Sequence, residues 1–340
     1  MRAVTLTTHG DLDALRFERE WPVPGVGSGE VLVRVGACAL NNTDINTRVG
    51  WYANGAWSES MVFPRIQGAD VCGRVVRCGS LAPSSLLGAR VLIDPWLRDP
   101  DRPKDRDRCG YVGSERDGGY ADYVAVPARN ASVIASQLSD VELASFPTAA
   151  GTALNMIDRV DIGEGDVVLI TGASGGVGTA LVQLVRTRGA VPVAMCAPAK
   201  EEFVRSLGAV AVIHPGIDQS EQLRAAIGRD QVDVVADVVG GDGWVQLIGL
   251  LARGGRYTVA GAIAGPIVPL DLRTLYLSDL TFAGVSVTPP GLFAELVSII
   301  ERGQIAPVVS ATFGLEQLHN AQTAFIEKRF TGKIVLDLSL

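Results

Sequence analysis

The sequence has little of the material from which metal centres, nucleic-acid surfaces and membrane spans are built. It holds three histidines, His9, His214 and His319, far apart along the chain and expected at surfaces. Its five cysteines, Cys38, Cys72, Cys78, Cys109 and Cys196, contain no Cys-x-x-Cys pair. An odd, scattered set of this kind fits a reducing compartment and inert core thiols better than a disulfide framework. Positive charge is not in excess: 30 Lys and Arg stand against 37 Asp and Glu, for a net charge of -7. Nothing therefore draws the chain toward phosphate backbones or anionic lipid, and no nucleic-acid partner is expected. No apolar run approaches the roughly 18 residues that would span a bilayer. The opening Met1-Arg2-Ala3-Val4-Thr5-Leu6-Thr7-Thr8 alternates like a strand and lacks the apolar core and cleavage site of a secretory signal. No membrane association and a cytoplasmic location are the expectations.

What is present describes a globular α/β protein. Hydrophobic residues make up 47% and charged residues 20% of 340 positions, the reverse of a disordered composition. At about 100–200 residues per domain, the length predicts two domains. The first 130 residues read as short β segments, Val31–Ala37, Gly68–Arg77 and Ala89–Asp94, separated by turn clusters such as Pro22-Val23-Pro24-Gly25. A barrel-like β domain is expected there. Within it, Leu97–Arg108 alternates in charge and is too polar to pack, which predicts a solvated loop, with an anion-binding patch as the alternative.

From Asp166 onward the texture changes. Apolar runs at Val167–Thr171, Val191–Met195, Val210–Ile213, Val232–Asp237, Arg256–Ala260 and Leu280–Val287 alternate with helical patterns. Continuous apolar strands of this kind predict a parallel sheet buried on both faces, and six is the full dinucleotide-binding count. After Pro289-Pro290 the pattern predicts a helix over Gly291–Arg302, an extended Pro307–Phe313, a helix near Leu315–Lys328 and a last strand, Lys333–Leu338, returning to the first domain.

The strongest local signal is the turn Gly172-Ala173-Ser174-Gly175-Gly176-Val177-Gly178 between the strand ending at Thr171 and the helix pattern Thr179–Val185. Strand, tight turn and helix start place backbone N–H groups and a positive dipole end where a pyrophosphate binds, and the glycines permit the close approach. An NAD enzyme usually presents an acid about 20 residues later, at the end of the second strand, for the ribose 2′-hydroxyl. Here Ala194-Met195-Cys196-Ala197-Pro198-Ala199-Lys200 contains none. Lys200 is the nearest charge and tolerates a 2′-phosphate, so NADPH is the expected cofactor. An ordinary surface lysine is the alternative.

These features together resemble the medium-chain dehydrogenase/reductase superfamily over nearly the whole chain. The resemblance is carried by Ala39-Leu40-Asn41-Asn42-Thr43-Asp44, Ile66-Gln67-Gly68-Ala69-Asp70, Gly118-Gly119-Tyr120-Ala121-Asp122-Tyr123, the Gly172 turn, Asp237-Val238-Val239-Gly240-Gly241 and Thr331-Gly332-Lys333-Ile334-Val335-Leu336. Within it the chain looks most like the zinc-free quinone oxidoreductase branch. The resemblance implies a GroES-like catalytic domain over 1–148, a Rossmann NADP-binding domain over 149–287, and a segment 288–340 that returns to the catalytic domain. It also implies a homodimer, consistent with Leu280–Val287 as an uncovered sheet edge.

Zinc-dependent members hold their catalytic metal with three side chains whose matching positions here are Asn41, Ala69 and Thr148. Their structural zinc lobe uses four cysteines in the stretch matching Pro95–Gly118, where Cys109 alone remains. No metal is expected at either place. Without a Lewis acid, hydride addition to a conjugated carbonyl, a quinone or an enone, is the expected reaction, because the charge spreads onto an oxygen that hydrogen-bond donors hold.

Catalytic candidates are Tyr52 as proton donor or oxyanion contact, Asn41 as a polar contact and Thr43, where zinc relatives place a relay hydroxyl. Each has a plainer alternative in packing or turn formation. Asn46 stands where relatives commonly carry Tyr. Asp44 and Arg48, at i and i+4, are expected to pair, and Trp51 and Trp57 to line an apolar pocket or simply pack. For the cofactor, Gly261, Ala262, Ile263, Val285 and Ser286 fall at the carboxyl ends of late strands, where open α/β sheets bind ligands. By resemblance Thr152 lies beside the nicotinamide, and Asp237 anchors a strand end. The competing readings are an NADP-dependent alcohol or aldehyde dehydrogenase and a non-catalytic NADPH-binding protein.

Overall fold

A computed structural model describes residues 1–54, 61–216 and 218–340. Its contacts divide the chain into two units. Met1–Ala149, Pro289–Arg302 and Ala306–Leu340 form the first; Ala150–Thr288 with Gly303–Ile305 forms the second.

The chain begins with strands β1 (Ala3–Leu6), β2 (Leu15–Glu18) and β3 (Glu30–Ala39), then a short helix α1 (Asn42–Arg48). Strands β4 (Arg65–Ile66), β5 (Asp70–Cys78), β6 (Arg90–Ile93), β7 (Trp96–Arg98), β8 (Cys109–Tyr111), β9 (Tyr123–Pro127) and β10 (Ala131–Val133) follow. Helices α2 (Asp140–Ala144) and α3 (Pro147–Arg159) come next. The second unit runs through β11 (Val167–Ile170), α4 (Gly176–Thr187), β12 (Val191–Met195), α5 (Glu201–Ser206), β13 (Ala211–Ile213), α6 (Gln219–Ile227) and β14 (Val232–Asp237). It continues with α7 (Trp244–Gly249), β15 (Leu251–Val259), α8 (Leu272–Leu277) and β16 (Thr281–Gly284). The chain closes with α9 (Leu292–Glu301), β17 (Val309–Phe313), α10 (Leu318–Glu327) and β18 (Lys333–Asp337).

In the first unit a seven-stranded sheet runs β10-β6-β5-β3-β18-β17, with β9 also on β3. Val31, Val33 and Val35 alternate inward along β3, and the central core gathers them with Leu40, Val71, Ile93, Ile334 and Leu336. The closing strand β18 pairs antiparallel with β3, Val335 opposite Ala39, so Lys333 begins a strand embedded in the core of this GroES-like domain. The stretch Leu97–Arg108 departs from the expected loop. Its start belongs to β7, and Trp96, Leu97 and Arg98 pair with Tyr111, Gly110 and Cys109 of β8. Main-chain pairing absorbs the first residues, while 100–104 stay exposed.

The second unit is a six-stranded sheet ordered β13-β12-β11-β14-β15-β16, every neighbour parallel. It is a Rossmann sheet, and its strands are apolar because helices cover them on both faces. Strand β15 starts earlier than the apolar run suggested, at Leu251, across an irregular register with β14. Strand β16 is shorter than Leu280–Val287, since only Arg256 to Val259 of its neighbour offer partners. Among the described residues no helix is long and apolar enough to cross a membrane.

Candidate functional site

The glycine turn sits between β11 and α4. Gly172 has φ +56°, a conformation that penalises a side chain. A Cβ on Gly178 would lie 2.2 Å from Gly172 O and 2.6 Å from Ala173 Cα, so helix and strand end meet here at backbone distance. Gly175 starts α4 without a side-chain cap. The first-turn N–H groups of a helix have no intrahelical acceptor, and an anion satisfies both them and the dipole. A hydrogen bond from Ala173 N to Met195 O ties the turn to the end of β12. The cradle fits a dinucleotide pyrophosphate.

Beneath it Asp237 acts as an anchor. It is fully buried and accepts hydrogen bonds from Thr171 Oγ1 at 2.6 Å, Tyr257 OH at 2.6 Å and Val239 N at 2.8 Å. Those bonds lock the carboxyl ends of β11, β14 and β15 in register. Gly261, Ala262 and Ile263 follow β15 at that edge, bonded to the loop after β14 through Ala264 N to Val239 O. Val285 continues past β16 with its N–H on Val259 O, and Ser286 beside it is exposed. Thr152 lies on α3, half-buried. Lys200 follows β12 in a single helical turn. The next residue, Glu201, is engaged by Arg205 at 2.9 Å and His214 at 3.2 Å. Its carboxylate is thus already taken up by Arg205 and the imidazole of His214.

The first unit gathers a second group of residues. Lys333 Nζ, its side chain 6% exposed, donates to Asn41 Oδ1 at 2.5 Å and to Asp70 Oδ2 at 3.0 Å. Asp70 Oδ1 accepts from both the backbone N and the hydroxyl of Thr148. Thr148 Oγ1 lies 2.7 Å from the Tyr111 hydroxyl. Asn41 is the N-cap of α1, and its side-chain oxygen accepts from Lys333. Among the described residues its Nδ2 and the neighbouring Thr43 Oγ1 are buried without a hydrogen-bond partner. Tyr52 OH accepts from Asn46 Nδ2 at 3.2 Å, and burial raises its pKa, so the phenol is neutral. Trp51 is about half exposed; Trp57 lies outside the described residues. Burial likewise pushes the Cys38 and Cys72 thiols up, which makes them inert.

The three positions that match a catalytic zinc site do not fit the metal. Ala69 offers no donor, the Asn41 oxygen holds an ammonium, and the Thr148 hydroxyl is bonded to Asp70. A dication beside the Lys333 ammonium would meet direct repulsion. Asp70, Lys333 and Tyr111 are not among the site residues that the sequence pattern singles out. The signal available was one acid and one base, each opening an apolar strand, because buried charges of this kind must be paired. The histidines also sit deeper than expected: His214 and His319 are half-buried, with Nδ1 and Nε2 donating to the backbone oxygens of Cys196 and Leu12.

Asp44 and Arg48 do not pair. Asp44 accepts from Asn41 N at 2.7 Å and Tyr120 OH at 2.9 Å. Arg48 instead reaches Gln322 Oε1 and Gly10 O. Tertiary partners on each side displace the weak local pair. Burial lifts the Asp44 carboxyl to about 6, although both hydrogen bonds hold it down. A carboxyl raised above its unfolded value binds more protons when folded, so its stabilising effect is complete below the unfolded pKa, about 4. That stability is lost as pH climbs through 6. Urea midpoints at pH 4 and 6.5 should show the Asp44→Asn protein losing about 2–3 kcal/mol less over this interval than the parent.

Comparisons with known proteins agree with this geometry. The family described as alcohol dehydrogenase GroES-like domain matches residues 27–136, and the family described as zinc-binding dehydrogenase matches residues 176–302. A solved structure from Sinorhizobium meliloti 1021, provisionally described as an alcohol dehydrogenase, superposes with a TM-score of 0.93 at 45% identity, covering 99% of this chain and 96% of that one. The 2-methylene-furan-3-one reductase of Solanum lycopersicum is 29% identical over 99% of this chain and 79% of its own length. An NAD-dependent alcohol dehydrogenase of Sulfolobus acidocaldarius is 28% identical over 100% of both. The chain is therefore similar both to a reductase of a 2-methylene-furan-3-one and to an NAD-dependent alcohol dehydrogenase. With its GroES-like sheet, its Rossmann sheet and both family matches, the chain belongs to the medium-chain dehydrogenase/reductase superfamily.

Proposed function

We propose that this protein is an NADPH-dependent reductase of conjugated carbonyls, quinones or enones, working without zinc. The observation that carries the reading is the pair of buried donors, Asn41 Nδ2 and Thr43 Oγ1, with no partner among the described residues, Asn41 being held by the Lys333 ammonium. Donors held in place and aimed by burial stabilise an oxygen that becomes negative, at no reorganisation cost. When bound, the nicotinamide supplies a hydride. The chain's own residues then hold the enolate oxygen: Asn41 and Thr43 donate to it, Lys333 stabilises the charge through Asn41, and the neutral phenol of Tyr52 is available as a further donor. On the cofactor side the glycine turn receives the pyrophosphate, Gly261, Ala262, Ile263, Val285 and Ser286 offer backbone groups to the carboxamide, and Thr152 lies beside the ring.

The experiment is to follow NADPH oxidation against quinones, enones, enoyl thioesters and aldehydes, with NADH as the comparison. Turnover with conjugated acceptors and at least about a tenfold preference for NADPH is expected. No turnover with any conjugated acceptor overturns the reading. Lys200→Ala should raise KM for NADPH by about tenfold and leave that for NADH within twofold, because one charge–phosphate contact is worth about 1.4 kcal/mol. A second reading, alcohol oxidation, is favoured by the full-length similarity to an NAD-dependent alcohol dehydrogenase. It predicts alcohol turnover and full activity after exhaustive chelation or, if metal is taken up, metal in elemental analysis.

A homodimer belongs to the same proposal. Strand β16 has no described neighbour on its outer side, and the preceding segment exposes Ile267, Leu272, Tyr276 and Leu277. An open edge beside apolar surface is covered in stable proteins. Light scattering at micromolar concentration should give twice the chain mass; a monomer would remove this part.

A further inference from the structure

Strands β15 and β16 leave their parallel ladder one hydrogen bond early. Val259 lies opposite Gly284, and beyond that pair Val285 N–H still reaches Val259 O. A parallel ladder alternates its donors and acceptors evenly, so Gly261 N–H would next reach Val285 O. Among the described residues that bond is not made. Both residues are half-buried, and one donor and one acceptor are left where a peptide group would have paired with them.

Both sides of this gap are held from outside it. On one side Ala260 N donates to Asp237 O, and Gly261 lies so close to the loop after β14 that a Cβ on it would stand 2.8 Å from Val238 O. On the other side two residues of α3 reach the end of β16. Asn155 Nδ2 donates to Val287 O at 3.3 Å, and Arg159 Nε to Gly284 O at 3.4 Å. The two side chains stand at i and i+4 on one helix face and bracket Val285 and Ser286. Helix α3 is itself fixed to β15, where Arg256 donates to Val160 O and Asp161 O at 2.8 and 2.7 Å. All of these residues belong to the second unit. Docking the helix does not call for an amide at this place. Ala153, Leu154, Met156 and Ile157 bury apolar side chains, whereas Asn155 is polar and only 5% exposed. Its hydrogen bond goes to the β16 extension, not to its own helix.

We propose that Asn155 is a positioning residue for the cofactor: with Arg159 at the other end, it holds Gly284–Val287 off Gly261 and so keeps the unmade bond open for the nicotinamide carboxamide. A carboxamide carries the same two kinds of group as a peptide, so its NH2 suits Val285 O and its oxygen suits the Gly261 N–H. This rests on the assignment of the carboxamide to Gly261, Val285 and Ser286 under the proposed function. Loss of the Asn155 donor releases the β16 extension, and the free donor and acceptor then close on each other.

The test compares Asn155→Leu, near in size but without the donor, with Arg159→Met and the parent. Calorimetric titration with NADPH and with 2′,5′-ADP, which lacks the nicotinamide, separates the carboxamide's place from the glycine cradle. In Asn155→Leu the ratio of NADPH to 2′,5′-ADP affinity should fall about fivefold to tenfold, with 2′,5′-ADP binding within about twofold of the parent. Arg159→Met, which removes the longer and more exposed bond, should lower the ratio about twofold. A merely structural role would lower Tm and weaken both ligands alike, so an unchanged ratio in Asn155→Leu overturns the proposal. Amide hydrogen exchange reads the gap with no ligand present: Gly261 N–H should exchange freely in the parent and at least about tenfold more slowly in Asn155→Leu. Protection of Gly261 in the ligand-free parent, or no slowing in the variant, also overturns it. If 2′,5′-ADP binds the parent no better than ADP does, the NADPH preference fails, and the same ratio is taken with NADH and ADP. A parent that binds neither dinucleotide removes the cofactor reading and this inference with it.

Discussion

Alanine at Gly178 should abolish measurable dinucleotide binding, lowering NADPH affinity at least about 100-fold, about 2.7 kcal/mol, and should also lower Tm. The added Cβ would stand 2.2 Å from Gly172 O and 2.6 Å from Ala173 Cα. Both neighbours are backbone, so no side chain can swing away, and α4 must retreat from the strand end. Overpacking of this sort costs about 1–3 kcal/mol. The retreat also moves the first-turn N–H groups proposed to receive the pyrophosphate. Gly175 provides the contrast. A Cβ there meets only Gly172 O, at 3.5 Å, and its φ of -85° suits any residue. Gly175→Ala should keep the parental Tm and weaken NADPH binding about tenfold, because the methyl group crowds the anion's place without moving the helix. Calorimetric titration and thermal melts separate the two effects. Equal Tm for Gly178→Ala and the parent would show that the close contact is not required.

Replacing Lys333 by methionine should destabilise the first unit by about 3–5 kcal/mol, the cost of leaving a buried charge without its partner. Asp70 is fully buried, and Lys333 is its only described cationic contact. The Thr148 donors remain, yet two neutral hydrogen bonds do not balance a full charge in a low-dielectric interior. Adding Asp70→Asn should restore most of the loss, since an amide accepts from Thr148 without a net charge. Urea unfolding followed by tryptophan fluorescence measures both proteins. A Lys333→Met protein as stable as the parent would mean that Asp70 is neutral there, and the restoring double variant would then show no gain.

The difference between these two sites explains what was legible beforehand. The turn at Gly172 is local: strand, glycines and helix lie within about twenty consecutive residues, and apolar periodicity marks both flanks. Strands β12 and β14 fall at the residues where the apolar runs were read, Val191–Met195 and Val232–Asp237. Strand β16 was read too long, because pairing length is decided by the neighbour rather than by the run itself. The short polar stretch after Trp96 became a paired hairpin for the same reason, its main chain finding partners that its side chains do not advertise.

The amino-acid order alone determined that this chain builds a six-stranded dinucleotide sheet with a glycine cradle, and its resemblance to zinc-dependent relatives implied that Asn41, Ala69 and Thr148 stand where those relatives hold a metal. Those features depend on contacts between near neighbours or on residue type at one position. Only the tertiary structure decided what stands there instead. Lys333 reaches Asn41 across 292 positions and Asp70 across 263, and Tyr111 joins Thr148 from a strand of a different sheet. No periodicity encodes such meetings. They follow from a requirement that acts after the chain has closed: every charge carried into the core must find its opposite there, and the side chains that satisfy it are brought in by whichever strands the sheet places alongside.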